Sequence, residues 1–183
     1  KMSEENIVKL LGNANVKKLT LPADFRGNIS GKMLATYSAL EEVNIAEENE
    51  VYKTVDGMVL SKDGTILYAM PASNSNSKEI IIPESVTTIK TDAFYAPSGK
   101  MEYSVSKVNI PSGVNSIEAN AFTPNGSLEI SAVFEGAADV FETDAIANDG
   151  EGVTLFCLQD EADELKNKFS ACNVIPVGME FEV

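Results

Sequence analysis

Histidine is absent from all 183 residues, and that one gap removes a large share of enzyme chemistry. Without it the chain can build no Ser-His-Asp triad, no Cys-His dyad and no histidine-bearing metal centre. Cysteine is nearly as scarce. Cys157 and Cys172 are the two present, too few for a four-ligand zinc site or a disulfide framework. Each borders a separate apolar run, Val153–Cys157 and Val174–Val177. With a helix crossing between two parallel strands, they fall at opposite strand ends, beyond the roughly 4.4–6.8 Å Cα separation that a disulfide spans. They are expected as free thiols. Long apolar runs are missing too. The densest, Ile80–Ile82, stops at Pro83, far short of the ~20 residues of a membrane helix.

Positive charge is also short: 14 Lys and Arg stand against 28 Asp and Glu, a net charge of −14. Affinity for nucleic acid comes largely from Lys and Arg displacing counterions, so an acidic chain like this one is not expected to bind it. No basic-then-apolar leader opens the chain at Lys1, as holds both for a secreted chain after processing and for one made without a leader. What remains suits a folded protein. Apolar residues make up 44% and charged residues 23%, enough for one domain or one short repeat array.

That array is visible in the middle of the chain. The run from Ile80 to Phe94 and the run from Val108 to Phe122 align at a constant offset of 28. Ile82, Pro83, Val86, Ile89, Ala93 and Phe94 recur as Ile110, Pro111, Val114, Ile117, Ala121 and Phe122. Polar residues fill most positions between. The frame extends outward with drift. Phe134, Ala138, Phe141, Ala145 and Ile146 occupy the apolar slots downstream, with Glu135 in place of the proline. Leu21-Pro22, Phe25, Ile29, Met33 and Leu34 fit upstream once a residue is inserted near Arg26-Gly27. Val43-Asn44-Ile45 and Val153-Thr154-Leu155 supply further strand starts, for roughly six coils.

Each slot has a physical meaning. The alternating segment before the proline is a short strand with one inward face. Proline cannot donate to a ladder, so Pro22, Pro83 and Pro111 mark where pairing stops and the chain turns. The following Val and Ile point back inside, and the Ala-Phe pair packs the far wall. One coil cannot bury its own apolar side, but stacked neighbours can, which makes the chain a solenoid.

One stretch breaks the period. Strand-like Val51–Leu60 and Thr65–Met70 flank Ser61-Lys62-Asp63-Gly64, a strong hairpin signal. A β-hairpin is therefore expected at about 51–70, followed by a polar loop from Ala72 to Lys78. The ends read as caps. Ser3-Glu4-Glu5-Asn6 opens a helix with Ile7, Val8, Leu10 and Leu11 on its apolar side. Asp160 is placed to N-cap a second helix through about Phe169, with a strand after it. The expected organisation is an N-terminal helical cap at 1–15, a solenoid at 16–159 and a helix–strand cap at 160–183.

The repeated coil, together with the Tyr52-to-Gly64 segment ending near Pro71, resembles the BspA-like (Treponema pallidum type) leucine-rich-repeat proteins. The resemblance covers roughly residues 16 to 177. It implies a right-handed solenoid, α/β to mainly β, with short parallel strands, an inserted β-hairpin and helical end caps. It also implies a secreted or surface-attached bacterial protein that adheres to host or microbial protein or glycan. No catalytic motif and no cofactor come with that family. The alternatives kept open are a carbohydrate-active accessory or glycosidase-like domain, and a structural spacer.

Other motifs reduce to turn chemistry. Ser30-Gly31-Lys32-Met33 and Ser98-Gly99-Lys100-Met101 lack the spacing and the hydroxyl of a phosphate loop. Asp56-Gly57, Asp63-Gly64 and Asp149-Gly150 lack the oxygen pattern of a calcium loop, so no metal site is expected. Glu41, Glu42, Glu47, Glu48 and Glu50 form the densest charge cluster and read as a solvated face. Asn28-Ile29-Ser30 and Asn125-Gly126-Ser127 match the short glycosylation sequon, which carries little meaning in a bacterial chain. The candidate binding surface is the outward side of the strands. Alternation turns Leu19, Leu21, Val43, Ile45, Ile80, Ile82, Val108 and Ile110 inward. Thr20, Asn44, Ile81, Asn109 and Val133 then face out, one per coil. Ile81 and Val133 are apolar where water favours polarity. A protein or glycan ligand and a monomeric chain are the expectation.

Overall fold

Each turn of the chain lays its strands against those of the turn before, and the registers match the repeat. The computed structural model describes residues 15–37, 39–71, 78–96, 105–124 and 126–178. The helix expected at the N-terminus and most of the polar loop after Pro71 lie outside these residues. The molecule is a mainly β solenoid of about five turns, slightly fewer than the roughly six coils read from the sequence.

Strands β1 (Lys18–Leu21) and β2 (Glu42–Ile45) pair in parallel, Leu19 beside Val43 and Leu21 beside Ile45. Between them lies a four-residue helix, α1 (Gly31–Leu34). The Ser30 hydroxyl accepts from the Met33 N–H at 3.2 Å, so this stretch is a capped helical turn and not a plain loop. Asn49, fully buried, closes the coil. Its amide donates to the Pro22 and Phe25 carbonyls, and its oxygen accepts from the Val51 and Tyr52 N–H groups. A buried amide is tolerated only when satisfied in this way.

The period break is a three-stranded meander, one strand more than the hairpin expected. It comprises β3 (Tyr52–Val55), β4 (Met58–Ser61) and β5 (Ile66–Ala69). Asp56 and Gly57 both take positive φ, 50° and 84°, the two-residue loop whose twist suits an antiparallel pair. The second turn is held by Asp63. Its carboxylate accepts from the Ser61 hydroxyl at 2.6 Å and from the Thr65 N–H at 3.0 Å.

Three further strand positions then repeat. One coil holds β6 (Glu79–Ile81), β7 (Thr88–Ile89) and β8 (Phe94–Tyr95). The next holds β9 (Lys107–Asn109), β10 (Ser116–Ile117) and β11 (Phe122–Thr123). Ile80 stands beside Val108, Ile89 beside Ile117 and Phe94 beside Phe122. The two phenyl rings stack at 5.0 Å and 9°, adjacent rungs as the repeat requires. At the proline corners Val86 and Val114 donate back to the Pro83 and Pro111 carbonyls. Asp92 and Asn120 take φ of 59° and 53° just before the Ala-Phe pair, a conformation that short polar side chains tolerate best.

The remaining strands are β12 (Leu128–Ala132), β13 (Val153–Leu158) and β14 (Asn173–Val177). They extend one parallel sheet in the order β14-β13-β12-β9-β6. Short helices α2 (Ala137–Val140) and α3 (Ala162–Lys168) pack together. Ile117 bridges Phe141 and Phe122 bridges Ile146, so the drifted downstream coil keeps the expected register at these two positions. Asp160 does not cap α3. A 3-10 turn over Gln159–Glu161 precedes the helix, and no side-chain cap forms there. The carboxylate of Glu161 instead accepts from Gly136 N–H at 2.7 Å and Ala138 N–H at 2.8 Å. Lys168 donates to the Ala138 and Phe141 carbonyls at the other end of α2. Both charges suit the helix dipole. This brace replaces the proline missing at Glu135.

Burial divides the interior in two. An N-terminal core gathers Leu19, Phe25, Met33, Tyr37, Val43 and their neighbours. A larger one runs from Met58 to Val174. Strand β4 stands between them, buried on both sides. Val59 faces the first core while Met58 and Leu60 face the second. The register slips between Val59–Ala69 and Leu60–Leu67. That bulge lets Ala69 join the first core and Leu67 the second.

Candidate binding face

The outward positions of the strands fall on two separate sheets, so they do not form one ladder. Thr20 and Asn44 are register mates on the β1–β2 pair. Ile81 and Asn109 are register mates on the five-stranded sheet. Ile81 is 70% exposed. Val133 is 40% exposed but follows the last residue of β12. The strand partner of Asn109 is Ser131, because β12 runs two residues longer before its turn than the alignment on the proline suggested.

Following that register gives the full face. Ile81, Asn109, Ser131, Phe156 and Ile175 lie in one row across the five strands. Glu79, Lys107, Glu129, Thr154 and Asn173 lie in a second row. Leu158 and Val177 pair one step beyond, level with Val133. The inward neighbours Val153, Leu155 and Cys157 are all buried. Thr154, Phe156 and Leu158 therefore turn to the other side, where they are half-buried. Phe156, Leu158, Ile175 and Val177 were not identified from the sequence. Both strands are apolar at nearly every position, so alternation alone gave no phase. The signal was the parallel register with β12, which only stacking supplies.

Electrostatics order the second row. Asn109 donates to Glu79 at 2.7 Å and Lys107 pairs with the same carboxylate at 3.0 Å. These contacts, the Asn109 hydrogen bond foremost, hold the Glu79 carboxyl below its ordinary range. A cleft of about 530 Å³ opens at this end of the strands, among Lys78, Glu79, Lys107, Glu129 and Thr154. Similar pairing occupies part of the glutamate cluster. Lys17 bonds Glu41, Lys18 bonds Glu42 and Arg26 bonds Glu50, while Glu47 and Glu48 are exposed.

A second cleft, of about 400 Å³, lies where the N-terminal coil meets the repeats. It is lined by Asn28, Ser30, Tyr52, Tyr68, Lys90 and Glu118, among others. Lys90 donates to Glu118, and the Thr91 N–H and hydroxyl donate to its other oxygen. Burial alone would raise the Glu118 carboxyl, but these donors outweigh it and leave it below the usual value.

The cysteines are free. They sit toward opposite ends of neighbouring strands, Cys157 beside Pro176 and Cys172 just ahead of β14 with its thiol on the Val153 carbonyl. Burial pushes Cys157 up and Cys172 to about 11, so neither is a reactive thiolate at neutral pH. Among the described residues no group of three or more His, Cys, Asp or Glu is placed to hold a metal ion. No helix among them is long and apolar enough to cross a membrane.

Comparison with known proteins agrees with this architecture. A family profile described as "BspA type Leucine rich repeat region (6 copies)" matches residues 65–138. A leucine-rich repeat protein from Eubacterium ventriosum is similar in structure, with a TM-score of 0.56 and 21% identity. The likeness covers 90% of this chain and 37% of that one. A leucine rich cell surface protein from Faecalibacterium prausnitzii gives a TM-score of 0.55 and 20% identity, over 90% of this chain and 48% of the other. The chain thus spans less than half the length of either. No curated protein matches it.

Proposed function

Taking as premise that the chain carries a BspA-type leucine-rich repeat region, we propose that it is a non-catalytic adhesion module. It acts as a monomer in a secreted or cell-surface bacterial protein, and it grips a host or microbial protein through the outer face of the five-stranded sheet. The observation carrying this reading is a set of three apolar side chains on that face, Ile81, Phe156 and Ile175, in a row whose other positions, Asn109 and Ser131, are polar. Ile81 at 70% exposure runs toward Phe156 and Ile175 on a rigid sheet, with charged Glu79 and Lys107 beside it. Large apolar side chains exposed among polar ones commonly serve as anchors of protein interfaces. Repeat proteins commonly bind on such extended surfaces.

The carboxylate-enzyme reading finds less support. Glu79 and Glu129 share the larger cleft and are separated by one intervening strand, roughly 9.6 Å by strand spacing. Glycoside hydrolysis asks one such carboxyl to stay protonated near neutrality. Glu79, lowered by Asn109 and Lys107, does not fit that acid role.

Retention on immobilised matrix proteins and mucins, at moderate salt, tests the proposal. Ile81→Glu leaves the core untouched and is expected to weaken retention at least about tenfold, as loss of an interface anchor does. If no such surface retains the wild-type chain, the adhesion reading fails.

A further inference from the structure

The register of the second wall places three unlike residues in a row. Leu67, Ile89 and Ile117 are strand partners. The residues that follow them, Tyr68, Lys90 and Glu118, therefore stand on successive coils, about 4.8 Å apart. Their backbones confirm it, since Lys90 N–H donates to Leu67 O and Glu118 N–H to Ile89 O. This row lines the 400 Å³ cleft. The volume lies at the lower end of ligand sites, which run from roughly 300 to 1,000 Å³.

The chemistry of the lining is selective. Among the described residues, Lys90 and Glu118 are the cleft's one cation and one anion, and each neutralises the other. In a chain of net charge −14, the described residues of this recess offer no unpaired formal charge to attract an ion. What it offers is an aromatic ring beside amide and hydroxyl groups. Tyr68 is braced edge-to-face by Tyr52, at 5.2 Å and 80°. The Tyr52 hydroxyl in turn donates to the Gly27 carbonyl at 3.0 Å. The ring is thus held before any ligand arrives, which lowers the cost of binding. Exposed Asn28 presents both a donor and an acceptor. Ser30 and Thr91 add hydroxyls.

We infer that this cleft is a binding site for a neutral saccharide, a terminal mono- or disaccharide of a glycan. The weakly positive C–H face of a pyranose packs against the electron-rich ring of Tyr68. Its hydroxyls exchange hydrogen bonds with Asn28, Thr91 and the Lys90–Glu118 pair. The site lies on a different sheet from the proposed protein-binding face, so either can fail without the other.

The test is a titration of the isotope-labelled full chain, followed by backbone amide shifts. The probes are lactose, maltose and N,N′-diacetylchitobiose, with a heparin disaccharide as the charged comparison. At least one neutral sugar is expected to move the Asn28, Tyr68 and Thr91 amides, with a Kd of about millimolar. Tyr68→Ala should weaken that binding about tenfold, the scale of one aromatic contact. Because Tyr68 also packs against the N-terminal core, Asn28→Ala serves as the second variant and should weaken binding severalfold with unchanged thermal stability. The inference is overturned if none of the three sugars moves the cleft amides. It is equally overturned if the charged probe alone moves them, or if Asn28→Ala and Tyr68→Ala both bind as the wild type does.

Discussion

The two cores of this solenoid are built by different means. In the larger one, equivalent residues meet themselves: Phe94 lies on Phe122 and Ile89 on Ile117, with Ala93 and Ala121 buried at the matching position of each coil. Every coil solves the same packing problem, so each new layer needs only the shape of the last. The N-terminal core has no such repetition. It joins Phe25 to Tyr52 at 6.1 Å, uses buried Asn49 to hold a corner, and ends against Val59 and Ala69 of the meander. The lesson is that a lapse in the repeat need not end the stack. A strand apolar on both faces, β4, closes one core and opens the other.

Phe122→Ala should have the largest effect, a loss of about 3–5 kcal/mol from transfer and cavity terms. Phe25→Ala should cost a similar amount in its own core. The comparison predicts that the two differ in reach. Hydrogen exchange should accelerate in β9 to β13 for the first variant, and in β1, β2 and α1 for the second. Identical exchange maps would show that β4 does not separate the cores.

Gly31→Ala tests the join itself. A Cβ at Gly31 would fall 2.1 Å from the Asp92 carbonyl oxygen and 3.0 Å from that of Ala93. Backbone cannot yield as a side-chain tip does, so α1 must lift from the β7–β8 corner. An overpacking cost of about 1–3 kcal/mol is expected in chemical denaturation. A wild-type midpoint would contradict the close approach.

The smallest effect belongs to the meander turn. The Ser61 hydroxyl, and then the Thr65 N–H and hydroxyl, lower the Asp63 carboxyl from 3.8 to about 2. A depressed folded value means that stabilisation is present above pH ~4 and fades as pH falls toward ~2. An NMR titration of Asp63 should show that low midpoint. Asp63→Asn should flatten this part of the acid profile. A titration at the ordinary aspartate value would remove the turn from the account.

Much of this fold was legible because the repeat carries its own register. Ile82, Pro83, Val86, Ile89, Ala93 and Phe94 each fall in the position their slot implied. So do the drifted Phe141 and Ile146. The meander was half legible. Asp63-Gly64 announced one turn, but the continuous apolar run Met58-Val59-Leu60 hid a strand enclosed on both sides, where period-two alternation is lost. Outward positions were legible only where alternation was clean, at Thr20 and Asn44 on one sheet and Ile81 and Asn109 on the other. Val133 was displaced because β12 lengthens, and Phe156 and Ile175 were silent because their strands are apolar throughout. The saccharide cleft left no local mark, since Tyr52, Tyr68 and Lys90 become neighbours only through stacking.

The brace from Glu161 and Lys168 onto α2 has a consequence for the order of assembly. Coils with a proline corner close that bend with a local bond, Val86 N–H to Pro83 O and Val114 N–H to Pro111 O. The bend after Glu135 is held instead by groups 23 to 30 residues downstream. During synthesis from the N-terminus, the brace on that bend cannot form until a later part of the chain has emerged.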